Sequence, residues 1–301
     1  MIVQIYEIQT PQEAEKCIAL GVDHIGSVLL SGTTWRQPNL QEVIRLSEGT
    51  QTKNSLIPLF QEKDLLYRTM DYYRPHYVHF CETLTDALGA KTNLGPYVDL
   101  QREFKERFPE IGIIRSIPIP ANGPAADFPT LDIARALEPC SDLFLIDTWL
   151  GKEPVEGYIG ITGRTADREM ARKLVLQSHI PVVLAGGLSP ENVYNAVLAV
   201  MPAGADSCSH TNRVGEKGKP ERFKKDFDRV REFISEVRRA ETNIEAKREE
   251  LRRKLAVLEA KLQDREAALP AHSVRPHQIM IIEDLEEEIS IVEKELKDTG
   301  S

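Results

Sequence analysis

Between Ile2 and the neighbourhood of Pro220 the chain alternates eight times between a short strand-like run and an amphipathic helical stretch. The strand-like runs are IVQIY (Ile2–Tyr6), HIGSVLL (His24–Leu30), SLIPLF (Ser55–Phe60), YVHF (Tyr77–Phe80), IGIIRSIPI (Ile111–Ile119), LFLID (Leu143–Asp147), PVVLA (Pro181–Ala185) and ADS (Ala205–Ser207). They read as continuous apolar segments, as expected of parallel strands buried on both faces. The helical stretches cover Pro11–Leu20, Leu40–Ser47, Lys63–Tyr73, Pro96–Phe108, Pro129–Leu137, Ala166–Gln177 and Glu191–Val200, with an eighth helix beginning near Pro220. The first of them carries a complete start signal: Thr10 as N-cap, Pro11 at the first helical position and Glu13 three residues after the cap. Eight such units within about 235 residues predict a closed (β/α)8 TIM barrel, whose usual length is about 250 residues. A doubly wound open sheet also alternates strand and helix, but its Gly-rich first turn is absent here.

Beyond residue 239 no strand signal follows. Ile244, Leu251, Leu255, Leu258, Leu262 and Leu269 mark a narrow apolar seam, and Ile282, Leu285, Ile289, Val292 and Leu296 mark a second. Between them PAHSVRP (Pro270–Pro276) interrupts the helix, because proline neither donates a helical hydrogen bond nor tolerates a helical predecessor. The expected organisation is a barrel over residues 1–239 and an antiparallel helical hairpin, or coiled coil, over residues 240–301. Such a narrow seam reads as an arm for homo-oligomerisation or for a protein partner through 240–301; the alternative is a solvated tail folded on the barrel. His272 and His277, in the turn, are expected to be solvated polar residues.

Composition removes several function classes. No run of 18 apolar residues occurs, which argues against a membrane span. The formal net charge of −9 argues against a general nucleic-acid binder. Cys17, Cys81, Cys140 and Cys208 are scattered without metal-binding or disulfide-framework spacing, so neither a metal site nor a cofactor is expected. The first ten residues lack the pattern of a secretory leader, which predicts a cytoplasmic protein.

In a (β/α)8 barrel the chemistry lies where the strands end, and phosphate is often held after the seventh and eighth. The strand ends supply Tyr6 and Glu7, Ser31 to Arg36, Gln61, His79 to Glu82, Arg115 and Ser116, Asp147, Gly186 and Gly187, and Asp206 to His210. Gly186 and Gly187 stand between the seventh strand and a helix start, where close backbone approach and unpaired N–H groups favour an anion. A tight strand-to-helix turn uses the same glycines. Ser207 and Ser209 offer further donors for phosphate. Asp147 ends a strongly apolar strand, which suits either a loop cap or a general acid or base. The expected ligand is a small phosphorylated metabolite.

The segments VVLAGGLSPENVYNAVLAVMPAGADS, LFLIDT and GITGRTAD resemble the signature segments of phosphoribosylanthranilate isomerases, a family of tryptophan-pathway barrel enzymes. The resemblance runs unevenly from Met1 to about Val237 and is strongest in the last third of the barrel. It implies an Amadori rearrangement, in which a general acid protonates the ring oxygen of an aminoaldose and a base removes the C2 proton. On this resemblance Asp147 matches the general acid, and Gly186 and Gly187 match the phosphate loop. Gly160, Thr162, Gly163 and Thr165 match the glycine-rich loop after the sixth strand, with Gly163 beside the phosphate. Arg36 falls where the family pairs the anthranilate carboxylate, and Asp206 matches the aspartate opening the eighth-strand motif. His79 and Arg115 are the further substrate-binding candidates.

The chain also departs from the family. The general-base cysteine of the Lys-x-Cys-Gly pattern is replaced by Tyr6, and the following glycine by Glu7. Tyr6 and Glu7 join Asp147 as the catalytic candidates. Tyrosine, with a pKa near 10, is a poor base at neutral pH; Glu7 can substitute as a carboxylate base where the strand end bends, and His79 and His210 are the other groups able to take over. The fourth-strand Gln-Leu-His-Gly reads HFCE, and the eighth-strand Ser-Ser-Gly reads CSH with His210 at the glycine. Two function classes follow: an aldose–ketose isomerase with Asp147 as acid, and a non-catalytic phosphometabolite-binding scaffold that assembles through its arm.

Overall fold

A computed structural model describes residues 1–121, 127–215, 218–269 and 275–299. The part of the inter-helix turn holding Pro270 and His272 lies outside the described residues. The chain divides into two compact units, Met1–Arg238 and Arg239–Ser301.

In the first unit eight parallel strands close into a barrel in sequence order. They are β1 (Ile2–Ile5), β2 (His24–Leu29), β3 (Lys53–Pro58), β4 (Tyr77–Phe80), β5 (Gly112–Pro120), β6 (Leu143–Trp149), β7 (Val182–Leu184) and β8 (Gly204–Ser207). Seven helices follow the first seven strands: α1 (Pro11–Ala19), α2 (Pro38–Ser47), α3 (Lys63–Tyr73), α4 (Gly95–Arg107), α5 (Thr130–Leu137), α6 (Arg168–Gln177) and α7 (Val193–Val200). The Thr10 cap forms as the sequence indicates, its hydroxyl accepting from Glu13 N–H at 3.3 Å. Closure pairs β8 with β1, placing Asp206 beside Gln4.

The eighth helix does not begin near Pro220. That stretch is a strand, β10 (Pro220–Lys225), paired antiparallel with β9 (Asn212–Val214). Lys225 explains the difference: its ammonium is buried and donates to Cys208 O at 2.8 Å and Asn212 Oδ1 at 2.5 Å, tying the hairpin to the end of β8. Helix α8 (Phe227–Ala267) then starts from Asp226, whose carboxylate accepts from Asp228 and Arg229 N–H groups.

Two layers of side chains organise the barrel. Leu40, Ile44, Leu56, Met70, Phe80 and Phe104 form a shell between strands and helices. Inside the barrel, Tyr6, Ile114, Leu143, Leu145, Val183 and Ala185 pack together. That interior is also crossed by hydrogen-bonded polar groups, which burial requires to be paired. Gln4 donates to Asp206 Oδ1 at 3.2 Å, and its amide oxygen lies 3.3 Å from His24 Nδ1. The Tyr6 hydroxyl lies 3.0 Å from Ser55 Oγ and 2.5 Å from His79 Nδ1, and His79 Nε2 lies 2.8 Å from Ser116 Oγ.

In the second unit the remainder of α8 packs against α9 (Pro276–Asp298) through Leu251, Leu258 and Val292, with Leu255, Leu285, Ile289 and Leu296 around them. Arg248 donates to Thr299 O at 3.1 Å, so the end of α9 returns to the level of residue 248 and the pair is antiparallel. His277 is exposed in the first turn of α9. Among the described residues no helix is long and apolar enough to cross a membrane.

Candidate active site

The strand ends surround a cavity that opens to solvent. Its wall brings together Tyr6, Glu7, His79, Asp147, Gly163, Gly186, Gly187, Asp206, Ser209 and His210. Arg36, Arg115 and Ser207, proposed from the sequence, are not in it.

Each exclusion has a physical reason. The Arg36 guanidinium lies over the rings of Trp35 (4.7 Å) and Tyr72 (5.6 Å), a cation–π arrangement on the exterior. Arg115 points out of the barrel because it sits between the inward Ile114 and Ser116; it is buried against Glu82, with Nη1 2.5 Å from Oε2, and lies over Tyr97. The Ser207 hydroxyl is spent on Leu188 O at 2.9 Å.

Asp147 is not the last residue of its strand, since β6 continues to Trp149. Its Oδ1 accepts from Thr148 N–H at 2.9 Å. Gly160, with φ +113°, closes over the carboxyl so tightly that a Cβ there would stand 2.5 Å from Oδ2. Burial raises the Asp147 pKa to about 7, the Thr148 N–H opposes the rise, and nearby Glu153 adds to it. Asp206 is likewise pushed up to about 8 by burial; the Gln4 amide opposes this and the Asp147 charge reinforces it. Glu153 and the apolar wall of Val155, Tyr158, Ile159 and Ile161 come from the long loop after β6, whose lining role no local pattern announced.

The position of the family's base is filled by a residue facing inward. Burial raises the Tyr6 hydroxyl well above its ordinary pKa, and Asp206 and Asp147 repel the phenolate further. His79 is held down to about 3 by burial and by the Arg115 charge, so it is neutral. Glu7 does turn into the cavity wall, because the strand end bends: its φ is +63°, a conformation that favours glycine. Both carboxylate oxygens are occupied there, Oε1 by Arg222 Nε (2.6 Å) and Oε2 by Asn212 Nδ2 (3.0 Å) and Phe223 N–H (3.3 Å). Burial alone would raise its pKa, but the Asn212 and Arg222 hydrogen bonds and the Arg222 and Lys225 charges hold it below the ordinary value. Cys81 and Cys208 also line the cavity, and burial drives both thiols up, away from the reactive thiolate.

Gly186 and Gly187 adopt φ +85° and +58°. They also admit the β6 loop: a Cβ would stand 2.2 Å from Thr148 Oγ1 at Gly186 and 2.7 Å from Arg164 C at Gly187. Helix α7 starts only at Val193, after a turn in which Asn192 Oδ1 accepts from Ser189 N–H. The N–H groups of Gly186, Gly187, Ser209 and His210 donate to no acceptor among the described residues, and all four residues line the cavity. His210 spans the rim, with Nε2 3.2 Å from Gly163 O. No group of three or more His, Cys, Asp or Glu is arranged to hold a metal ion among the described residues.

Fold and mouth together define a (β/α)8 barrel with a carboxyl-lined cavity at the carboxyl ends of its strands. The family described as N-(5'-phosphoribosyl)anthranilate (PRA) isomerase matches residues 99–235. An N-(5'-phosphoribosyl)anthranilate isomerase of Aquifex aeolicus is 30% identical over 243 residues, covering 78% of this chain and 98% of the relative. That of Methanosarcina acetivorans is 33% identical over 132 residues, covering 43% of this chain and 52% of the relative, so there the chain spans about half the length of the protein it matches. The crystal structure of the Thermotoga maritima phosphoribosyl anthranilate isomerase superposes with a TM-score of 0.56 at 22% identity, covering 79% of this chain and 99% of that one. The chain belongs to the phosphoribosylanthranilate isomerase family.

Proposed function

We propose that the protein is a phosphosugar isomerase that converts an N-linked phosphoaldose, of the phosphoribosylanthranilate type, into the corresponding aminoketose. The observation that carries this is Asp147, a carboxyl with its pKa raised to about 7 in the same cavity as four unpaired main-chain N–H groups. An acid poised near neutrality delivers a proton most effectively to the ring oxygen at physiological pH. The amides of Gly186, Gly187, Ser209 and His210 hold the phosphate, with Gly163 as the facing wall. Apolar residues of the β6 loop cover the aglycone. One solved family structure is a complex with reduced 1-(o-carboxyphenylamino)-1-deoxyribulose 5-phosphate.

The test is turnover of phosphoribosylanthranilate by the purified protein. Asp147→Asn should lower kcat by about 10²–10⁴ while leaving binding of that reduced ligand nearly unchanged. Ligand binding without turnover in the wild type would instead favour a phosphometabolite-binding protein. Residues 240–301 serve as the interaction arm in either case, checked by comparing solution mass before and after disruption of the α8–α9 seam.

A further inference from the structure

With tyrosine in place of the thiol, the proton on C2 of the sugar needs another acceptor. Five groups in the cavity wall are unsuited. Tyr6 and His79 are hydrogen-bonded to each other and to Ser55 and Ser116. Glu7 has both oxygens occupied, and the Cys81 and Cys208 thiols are driven toward their protonated forms. Asp206 differs from all of these. Its Oδ1 accepts a single hydrogen bond, from the neutral Gln4 amide, and Oδ2 has no partner among the described residues. It stands on β8, the strand hydrogen-bonded to β1, so it adjoins the strand that carries the family's base. It also shares the cavity with Asp147 on β6, the two strands flanking β7.

We infer that Asp206 is the base that removes the C2 proton, acting with Asp147 as a two-carboxylate acid–base pair around the end of β7. This rests on the isomerase reading above. Asp147 gives its proton to the ring oxygen as the C1–O bond breaks and the nitrogen lone pair forms a C1=N iminium. The Asp206 carboxylate then takes the C2 proton; the C2–H electron pair becomes a C1=C2 bond, and the C1=N pair returns to nitrogen. The resulting enolamine becomes the aminoketose when the enol proton is lost from O2 and a proton is added at C1. The reactive form carries the single proton on Asp147 with Asp206 ionised. Because burial pushes Asp206 higher than Asp147, this is the minor arrangement of the shared proton at rest, and after the proton has moved from Asp147 to Asp206 the pair is reset by exchange with solvent. The charged and titratable groups around the pair are Glu153 and Cys81 beside Asp147, Lys225 and Cys208 near Asp206, and Tyr6, which faces both.

The experiment compares wild type, Asp206→Asn and Asp206→Glu, measuring kcat and KM for phosphoribosylanthranilate and affinity for the reduced ribulose phosphate ligand. Asp206→Asn should lose about 10²–10⁴ in kcat with ligand affinity within a few-fold of wild type, and Asp206→Glu should recover part of the rate. Turnover by Asp206→Asn near the wild-type rate overturns the assignment and leaves the isomerase reading standing. A wild type that binds the ligand without turnover overturns both. If Asp206→Asn does not fold, the kcat–pH profile of Asp206→Glu decides: a displaced limb supports the base role, and an unchanged profile overturns it.

Discussion

Gly26 on β2 leaves the space that the ring of Tyr6, the residue just after β1, occupies: a Cβ at residue 26 would stand 2.1 Å from Tyr6 Cδ1 and Cε1. The two positions act as one packing unit. The aromatic ring crosses the barrel interior, and its hydroxyl joins Ser55 to His79.

Gly26→Ala therefore overpacks the barrel centre. The expected loss is about 1–3 kcal/mol or more, read from urea unfolding midpoints. Pairing it with Tyr6→Phe should bring no relief, because the clash is with the ring and not the hydroxyl. Denaturation of the double variant checks this directly.

Asp147 and Asp206 make stability fall as pH rises toward about 8. Their pKa values are raised in the folded chain to about 7 and about 8, from the ordinary 3.8, so between those limits the folded state holds more protons than the unfolded state. That contribution is full below the unfolded value and is lost as pH rises through about 7–8. The opposing effect of His24 and His79, lowered to about 4 and about 3, acts below their ordinary 6.5. Thermal melts should thus show Tm declining from pH 6.5 to 8.5, with a smaller decline in Asp147→Asn. A pair sharing one proton also predicts a bell-shaped kcat, highest between about pH 7 and 8.

Gly160→Ala brings a methyl group against the Asp147 carboxyl and strains a backbone at φ +113°. The expected cost is about 1–3 kcal/mol of stability, together with a fall in kcat larger than any change in KM. Steady-state kinetics beside a melting curve separates the two effects.

Removing Arg222 leaves Glu7 buried without its ion-pair partner, although Asn212 and Phe223 still donate to it and the Lys225 charge remains nearby. Arg222→Ala should cost about 1–3 kcal/mol. Glu7→Gln should soften that loss, and a double-mutant cycle on unfolding free energies measures the coupling. Additive effects would show that the two side chains are energetically independent.

The barrel was legible because its signals are local. Apolar runs, the Thr10 cap and the spacing of Leu251, Leu258 and Val292 each act within a few residues of chain, and the strands and the helical hairpin formed where those signals lie. The stretch from Pro220 misled because a proline opening a charged segment reads equally as a helix start. The buried Lys225 that ties it to Cys208 becomes visible only once β8 has been placed.

The site divides along the same line. Sequence by itself determined which groups stand at the strand ends, since strand order and length put Asp147, Gly186, Gly187, Asp206 and His210 at one end of the barrel. It could not determine which of them face the cavity or carry protons, because those depend on contacts between residues far apart in the chain. Arg115 turned outward to Glu82, Arg36 settled on Trp35 and Tyr72, and Glu7 was taken by Arg222, 215 residues away. Desolvation inside the closed barrel then set the protonation of Tyr6, His79, Asp147 and Asp206, and that burial exists only after all eight strands have met.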